Sequence, residues 1–190
     1  MEGTLKVYTR TGDDGTTGLF YGGRASKDGV GPSAYGTVDE AVAVLGLARA
    51  YSNDEETVAL LIRLQRELFV VGAELATAPE NRHKLKDAET RTTAAMTSAL
   101  ETVIDDLNDR MEMPTEFVLP GQTPCGAALD IARAVVRRAE RECVTATREA
   151  WLEPGSSVVP YLNRLADLLW VISRYAEGSW IPRRPESKTT

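Results

Sequence analysis

The sequence predicts an all-α protein, a five-helix antiparallel bundle with a glycine-rich N-terminal loop. Apolar residues recur at three- and four-residue spacing through most of the chain, and Pro, Gly and Asn separate these periodic segments. Few segments alternate in the manner of a strand. The 190 residues are enough for one domain with its own core, which we assign to residues 1–182, with residues 183–190 as a frayed tail.

Five segments carry the helical pattern. The second shows it clearly, because Leu61, Leu64, Leu68 and Val71 recur at three and four residues. The fourth has a defined start, since Thr123 suits an N-cap and the proline after it suits the first helical position. The fifth follows Pro160. The first four predicted helices span residues 35–51, 54–76, 87–108 and 124–148, and the fifth has a core stripe that runs from Tyr161 to Tyr175.

Composition and charge exclude several classes of protein. The net charge of −6 argues against broad binding to nucleic acid or to an anionic membrane. No apolar segment approaches the roughly 20 residues that span a bilayer, and we expect no signal peptide. One histidine, His83, excludes a multi-histidine metal centre within a subunit. Cys125 and Cys143 have no zinc-site or redox-motif spacing, so we expect a reduced, cytoplasmic protein.

An arginine stripe runs along the fourth helix. Arg133, Arg137 and Arg141 follow one another at intervals of four residues, opposite an apolar stripe, and Asp130 and Glu140 share their face. One interpretation is a solvated face with local ion pairs. The other is a clamp for a triphosphate, because arginine forks match phosphate oxygens and an anion would relieve the repulsion among them.

Two further polar patterns allow the same two interpretations. Asn163 and Asp167 lie four residues apart on the fifth helix, away from its leucine stripe, and form either surface or part of a site. The leader "YTRTGDDGTTGLFYGGRASKD" is rich in glycine and threonine, which let backbone N–H groups approach an anion. It lacks the Lys-Ser/Thr pair of a P-loop, and it is either a plain loop or part of a nucleotide site.

Read together, four blocks in order resemble the PduO-type ATP:cob(I)alamin (corrinoid) adenosyltransferases. They are "YTRTGDDGTTGL", "AYGTVDE", "FVLPGQTPCGAALDIARAVVRRAER" and "YLNRLADLLWVISRY", and the resemblance spans residues 6–177. It implies a ferritin-like bundle, homotrimers with sites at subunit interfaces, and transfer of the 5′-deoxyadenosyl group of ATP to cobalt with release of triphosphate. Adenosylcobalamin is the implied product, and handing it to a dependent enzyme is an implied second role.

The resemblance also implies roles for individual residues. Arg133 and Asp39 resemble a pair that links subunits and orders the site, and with Arg137 they are the candidate catalytic residues. Phe117 resembles the aromatic residue that closes the lower face of the corrin. The residues that resemble ATP contacts are Thr9, Arg10, Thr11, Gly12, Thr17, Gly18, Lys27, Arg137, Arg138, Glu140, Arg141 and Asn163.

The implied chemistry suits a chain that has one histidine. Co(I) is itself the nucleophile, so the protein has to orient C5′, neutralise the leaving triphosphate with cationic residues and Mg²⁺, and favour reduction of Co(II). A wedge such as Phe117 would aid reduction by excluding an axial ligand. We predict no metal site made by the protein, and we expect a separate reductase.

The sequence departs from the family pattern at two positions, and one rival function stays open. Gln122 stands where a second glycine is usual, and Asp130 stands where histidine is common, which places a negative charge on the phosphate-facing stripe. The rival is a non-catalytic sensor or delivery module that binds ATP or adenosylcobalamin.

Overall fold

The computed structural model describes Tyr8 and residues 10–184, which form a five-helix bundle with two short β-hairpin-like pairings. The helices are α1 (Val30–Tyr51), α2 (Glu55–Leu75), α3 (Ala94–Arg110), α4 (Pro124–Arg148) and α5 (Val158–Glu177). The strands are β1 (Thr16–Gly18), β2 (Arg24–Ser26), β3 (Val118–Leu119) and β4 (Ile181–Pro182). A short 3₁₀ helix, Pro79–Lys84, follows α2. The predicted all-α bundle is confirmed.

Successive helices run antiparallel, with α4 packed between α1 and α5. Ser33 near the start of α1 bonds to Glu142 near the end of α4, and the start of α4 meets the end of α5 at Gly126 and Glu177. The core is built from the apolar stripes of all five helices. No helix among the described residues has the length and apolar character needed to cross a membrane.

Some helices begin at a different residue from the predicted one, and for the third helix backbone hydrogen bonds in a preceding turn are the reason. The third helix begins at Ala94 and not at residue 87, because Lys86 accepts three backbone N–H groups in a turn and Thr93 then caps the helix. The first helix begins earlier, at Val30. The fourth begins at Pro124 as predicted, with the Thr123 side chain accepting a bond from Gly126 N at 3.0 Å. In the fifth, Pro160 lies within the first turn, where proline is tolerated.

The glycine-rich leader is a small hairpin that is docked on the bundle, not a plain loop. Strands β1 and β2 pair antiparallel, with Thr17 opposite Ala25. Gly22 and Gly23 turn the chain with φ of 93° and 90°, a region that residues with a Cβ rarely adopt. The Phe20 amide donates to the carbonyl of Ala76 at 3.0 Å, so the hairpin tip is fixed to the end of α2.

Gly31 provides a test of the packing at this end of the bundle. A Cβ at Gly31 would lie 2.2 Å from the Trp151 ring, which is held because its indole N–H donates to the Leu75 carbonyl at 2.8 Å. We expect Gly31→Ala to lower the free energy of unfolding by roughly 1–3 kcal/mol through overpacking.

The matched control is Gly72→Ala within α2, where nothing lies within 4 Å of the added methyl group. It should be neutral or stabilising by up to about 1 kcal/mol, because alanine favours helix. Urea unfolding of both variants makes the comparison. Equal stability of the two would contradict the packing of Trp151 on Gly31.

Candidate active site

A cavity of about 960 Å³ opens at the end of the bundle where α4 begins. One wall is the segment before α4, which carries Phe117, and the other walls come from α4, α5 and the residues that follow α5. Its apolar lining includes Phe117, Val118, Pro120, Ile131, Ala134 and Trp170. Phe117 is 79% exposed, so its ring is not part of the core and faces the open cavity. Such a cavity is large enough for a sizeable organic ligand.

A second cavity, of about 440 Å³, adjoins the first and carries part of the arginine stripe. Pro114, Arg133 and Trp170 line both cavities, and Arg137 and Asp167 line the second. The exposed guanidinium of Arg137 has no ion-pair or hydrogen-bond partner among residues 8 and 10–184. A free cationic group next to an apolar cavity suits a ligand that has both an anionic and an apolar part.

The remaining arginines open onto the other side of α4. Arg138 and Arg141 line a third cavity, of about 480 Å³, together with Asp28 and Ser33. Arg138 forms an ion pair with Glu40 of α1. The structure therefore divides the predicted stripe between two grooves, since Arg133 and Arg137 face the α5 side while Arg138 and Arg141 face the α1 side.

The exposed polar residues of α5 lie next to the polar face of α4. Asn163 is exposed and donates to the Glu140 carboxylate at 3.2 Å, so two of the predicted ATP contacts are neighbours. Asp167 is exposed and accepts from Arg164 at 2.8 Å. The sequence analysis missed Trp170, although it follows Asn163 and Asp167 at helical spacing and so shares their face.

The leader residues form a cluster of their own. The Lys27 ammonium donates to the Gly12 carbonyl at 2.7 Å, and Arg24 donates to Thr16 and to the Thr11 carbonyl. These bonds of Lys27 and Arg24 stay within the hairpin. Thr17 and Gly18 lie on β1, and Arg10 stacks over Tyr8. Thr9 lies outside the described residues.

The predicted pair of Asp39 and Arg133 is not formed within the chain. Asp39 is exposed on α1 and has no ion-pair partner among the described residues. Arg133 has its Nε 3.8 Å from Asp130. A bond between Asp39 and Arg133 therefore requires a second copy of the chain and stays a prediction.

Asp130 does not act as a free negative charge on the phosphate-facing stripe, as the sequence analysis expected. Its side chain is 12% exposed and forms an ion pair with Arg174 of α5 at 2.5 Å. Arg174 is only 2% exposed, although it follows the exposed Asp167 by seven residues and so lies on the same face of α5. The spacing could not reveal this pairing, because the two residues lie on different helices.

The described residues contain neither an activated thiol nor a ready metal site. Burial raises the pKa of Cys143 to about 12, and it also raises the pKa of Cys125, so both thiols are protonated at neutral pH. Within residues 8 and 10–184 no three Asp, Glu, His or Cys side chains are grouped to hold a metal ion.

Comparisons of the sequence and of the structure with known proteins both find corrinoid adenosyltransferases. A corrinoid adenosyltransferase of Citrobacter freundii is 39% identical over 172 residues, which cover 90% of this chain and 95% of the relative. One from Mycobacterium bovis is 43% identical over 175 residues, covering 90% and 88%.

Among solved structures, a variant PduO-type ATP:corrinoid adenosyltransferase from Lactobacillus reuteri, complexed with cobalamin and ATP, superposes with a TM-score of 0.84. It is 30% identical and the match covers 95% of this chain and all of that one. The sequence model of the family described as cobalamin adenosyltransferase matches residues 7–176. The chain belongs to the cobalamin adenosyltransferase family.

Proposed function

We propose that this protein transfers the 5′-deoxyadenosyl group of ATP to the cobalt of a reduced corrinoid, with release of triphosphate. The observation that carries the proposal is the adjoining of two unlike cavities. The larger cavity has a mostly apolar lining that includes the exposed Phe117 ring, the smaller one carries the guanidinium of Arg137, which is unpaired among the described residues, and Arg133 and Trp170 line both. This arrangement suits a large, mostly apolar macrocycle next to a polyphosphate.

The apolar cavity is the corrinoid site in this proposal. The Phe117 ring is exposed to water in the free protein. Burying such a ring against a ligand contributes about 1.5–3 kcal/mol to the free energy of binding. Against the lower face of a corrin, the ring would occupy the place of water or of the nucleotide tail. With no axial ligand donating into the cobalt orbital that receives the electron, Co(II) is easier to reduce.

The ATP site is built from two groups of residues. One is the helical group around Arg137, Glu140 and Asn163, and the other is the leader cluster around Gly12 and Lys27. Within one chain the leader approaches α4 where Asp28 lines a cavity with Arg138 and Arg141. The family resemblance implies a homotrimer with sites at subunit interfaces, in which the leader of one subunit and the helical group of the next act on one ATP.

The residues of the site have to position ATP and stabilise charge. The Co(I) lone pair attacks C5′, the C5′–O bond breaks, and the triphosphate leaves with that bonding pair. Arg137 and Lys27 would stabilise the developing negative charge, which is the main electrostatic demand of the step. Since the described residues offer no three-ligand cluster, Mg²⁺ would bind chiefly through phosphate oxygens and water.

The rival is a non-catalytic module that binds ATP or adenosylcobalamin as a sensor or carrier. One anaerobic assay separates the two, because ATP added to chemically reduced corrinoid changes the visible spectrum only if a cobalt–carbon bond forms. The proposed setting is the cytoplasm, where a separate reductase would supply the electron and an adenosylcobalamin-dependent enzyme would accept the product. Both cysteines are free, as a reducing compartment requires.

The phosphate role of Arg137 can be tested by truncation. Arg137→Ala removes a charge-assisted bond worth about 1.5–3 kcal/mol, so kcat/KM for ATP should fall roughly 10- to 150-fold. The helix should persist, because alanine is a strong helix former. Steady-state kinetics measure the effect. The control is Arg148→Ala in the last turn of the same helix, which should leave kcat/KM unchanged, and equal kinetics in the two variants would restore the solvated-face interpretation.

The variant Phe117→Ala tests whether the ring excludes an axial ligand from the lower face of the corrin. Because the ring is exposed, stability should change by no more than about 0.5 kcal/mol. Turnover starting from Co(II) with a mild reductant should fall steeply, while pre-reduced Co(I) should recover part of the activity and ATP affinity should stay constant. The deciding measurement is the spectrum of bound Co(II) corrinoid with ATP. An equal four-coordinate signal in wild type and variant would exclude the wedge.

Subunit assembly tests the pair of Asp39 and Arg133. Sedimentation should find a trimer for the wild type, and Asp39→Arg should weaken it by placing two cations together. Combining Asp39→Arg with Arg133→Asp should restore assembly, although not activity, since Arg133 also lines the cavities. A fully active wild-type monomer at micromolar concentration, or an Asp39→Arg single variant that assembles like the wild type, would refute the interface.

A further inference from the structure

A largely buried charge network forms part of the wall of the apolar cavity, which Asp130 and Arg174 line. Its centre is Arg174, whose side chain is 1% exposed and which pairs with Asp130 at 2.5 Å. The second carboxylate is Glu177, whose side chain is 0% exposed. Its Oε2 lies 3.0 Å from Arg174 Nη2, an ion pair whose angles fall outside hydrogen-bond geometry. One buried cation therefore faces two buried carboxylates.

The other oxygen of Glu177 binds the segment that carries the exposed phenyl ring. Glu177 Oε1 accepts the backbone N–H of Gln122 at 2.9 Å and that of Gly121 at 3.2 Å. These two donors help to offset the second negative charge of the network. The carboxylate is also packed against the start of α4, because a Cβ at Gly126 would lie 2.5 Å from Glu177 Cγ.

The same segment is also bound at Phe117 and at the two residues after it, by the chain that follows α5. The Arg183 N–H donates to the Phe117 carbonyl at 2.7 Å, and β3 pairs with β4, with Val118 opposite Pro182. The ring itself is 79% exposed. The backbone that carries the ring is therefore fixed at Phe117 itself by Arg183, and four and five residues later by Glu177.

We propose that Glu177 is a positioning residue for the corrinoid site, fixing the backbone that places the Phe117 ring and doing so through a carboxylate oriented by Arg174 and Asp130. The inference rests on the proposed function, because the effect of the ring is expressed on a bound corrinoid. Its consequence is specific to one substrate: loosening this backbone should impair corrinoid handling and leave ATP handling intact. The ATP-binding groups lie elsewhere on α4, on α5 and in the leader.

The chain offers a matched control at the opposite end of the bundle. Glu74 is also buried and also binds backbone in a connecting segment, accepting the Thr92 N–H at 2.6 Å and the Ser156 hydroxyl at 2.6 Å. Glu74→Ala and Glu177→Ala thus remove the same kind of interaction. Only Glu177 is connected to the segment that carries Phe117.

The experiment compares wild type, Glu177→Ala, Glu177→Gln and Glu74→Ala in the full chain with cob(II)alamin, cob(I)alamin and ATP. Glu177→Ala should raise KM for the corrinoid or lower kcat by about tenfold or more, since a misplacement of 1 Å can cost up to ~100-fold. It should weaken the four-coordinate Co(II) signal and leave KM for ATP within about twofold, a small change on the scale of that loss. Glu177→Gln keeps the acceptor oxygen and should recover most of the signal. Glu74→Ala should lower Tm without a corrinoid-specific defect.

A second pair of variants addresses misfolding of Glu177→Ala. Arg183→Pro removes the N–H that binds the Phe117 carbonyl, whereas Arg183→Ala keeps it and removes only the guanidinium. Arg183 also lines the cavity, so both variants change its lining, and the positioning role predicts a clearly larger loss of the four-coordinate signal in Arg183→Pro than in Arg183→Ala.

Each outcome has a definite meaning. The inference is overturned if Glu177→Ala retains the wild-type Co(II) spectrum and corrinoid KM, or if its defect equals that of Glu74→Ala. If Glu177→Ala does not fold, the inference is overturned when Arg183→Pro and Arg183→Ala give the same Co(II) spectrum. A wild type that binds corrinoid but forms no cobalt–carbon bond would refute the proposed function instead, and the Co(II) spectra would still test the positioning of Phe117.

Discussion

The packing of α4 between α1 and α5 is the interaction on which the rest of the structure depends. Its buried stripe is made of small residues such as Ala128, Ala132 and Ala139, which let both neighbours approach closely. Because one side of the helix is occupied in this way, the arginines must lie on the other side and at its two edges. The edges are the grooves toward α1 and toward α5, and this is why the cationic groups face two cavities and not one solvated surface.

The two ends of the candidate site are held by different kinds of interaction. The leader hairpin is fixed by backbone bonds such as that from Phe20 to Ala76, and its side chains are exposed or only half-buried. The segment with Phe117 has little core of its own and is fixed by buried charge. Such a network is costly to desolvate and is tolerated when each group has partners, which Arg174, Asp130 and two backbone donors supply for one another. An exposed ring can therefore be held in place without being packed.

Several features of the fold and of the site could be predicted from neighbours along the chain. The N-cap at Thr123 and the start of α4 were correct, because capping depends on residues three apart. The proximity of Glu140 and Asn163 was implied by the family resemblance, which placed both among the ATP contacts, and not by the spacing within either helix. The start of α3 was placed too early, because Lys86 forms a turn through backbone bonds that leave no periodic signal.

By itself the sequence determined that the protein is an all-α bundle, that α4 carries arginines opposite an apolar stripe, and that its blocks match one family. These properties depend on helical spacing and on short motifs, which are local. Only the tertiary structure decided that Arg174 is buried with Asp130 and Glu177, that the leader is a docked hairpin, and that Phe117 faces a cavity. The physical reason is that burial and ion pairing depend on which helices meet, and helix spacing within one segment carries no information about its partner.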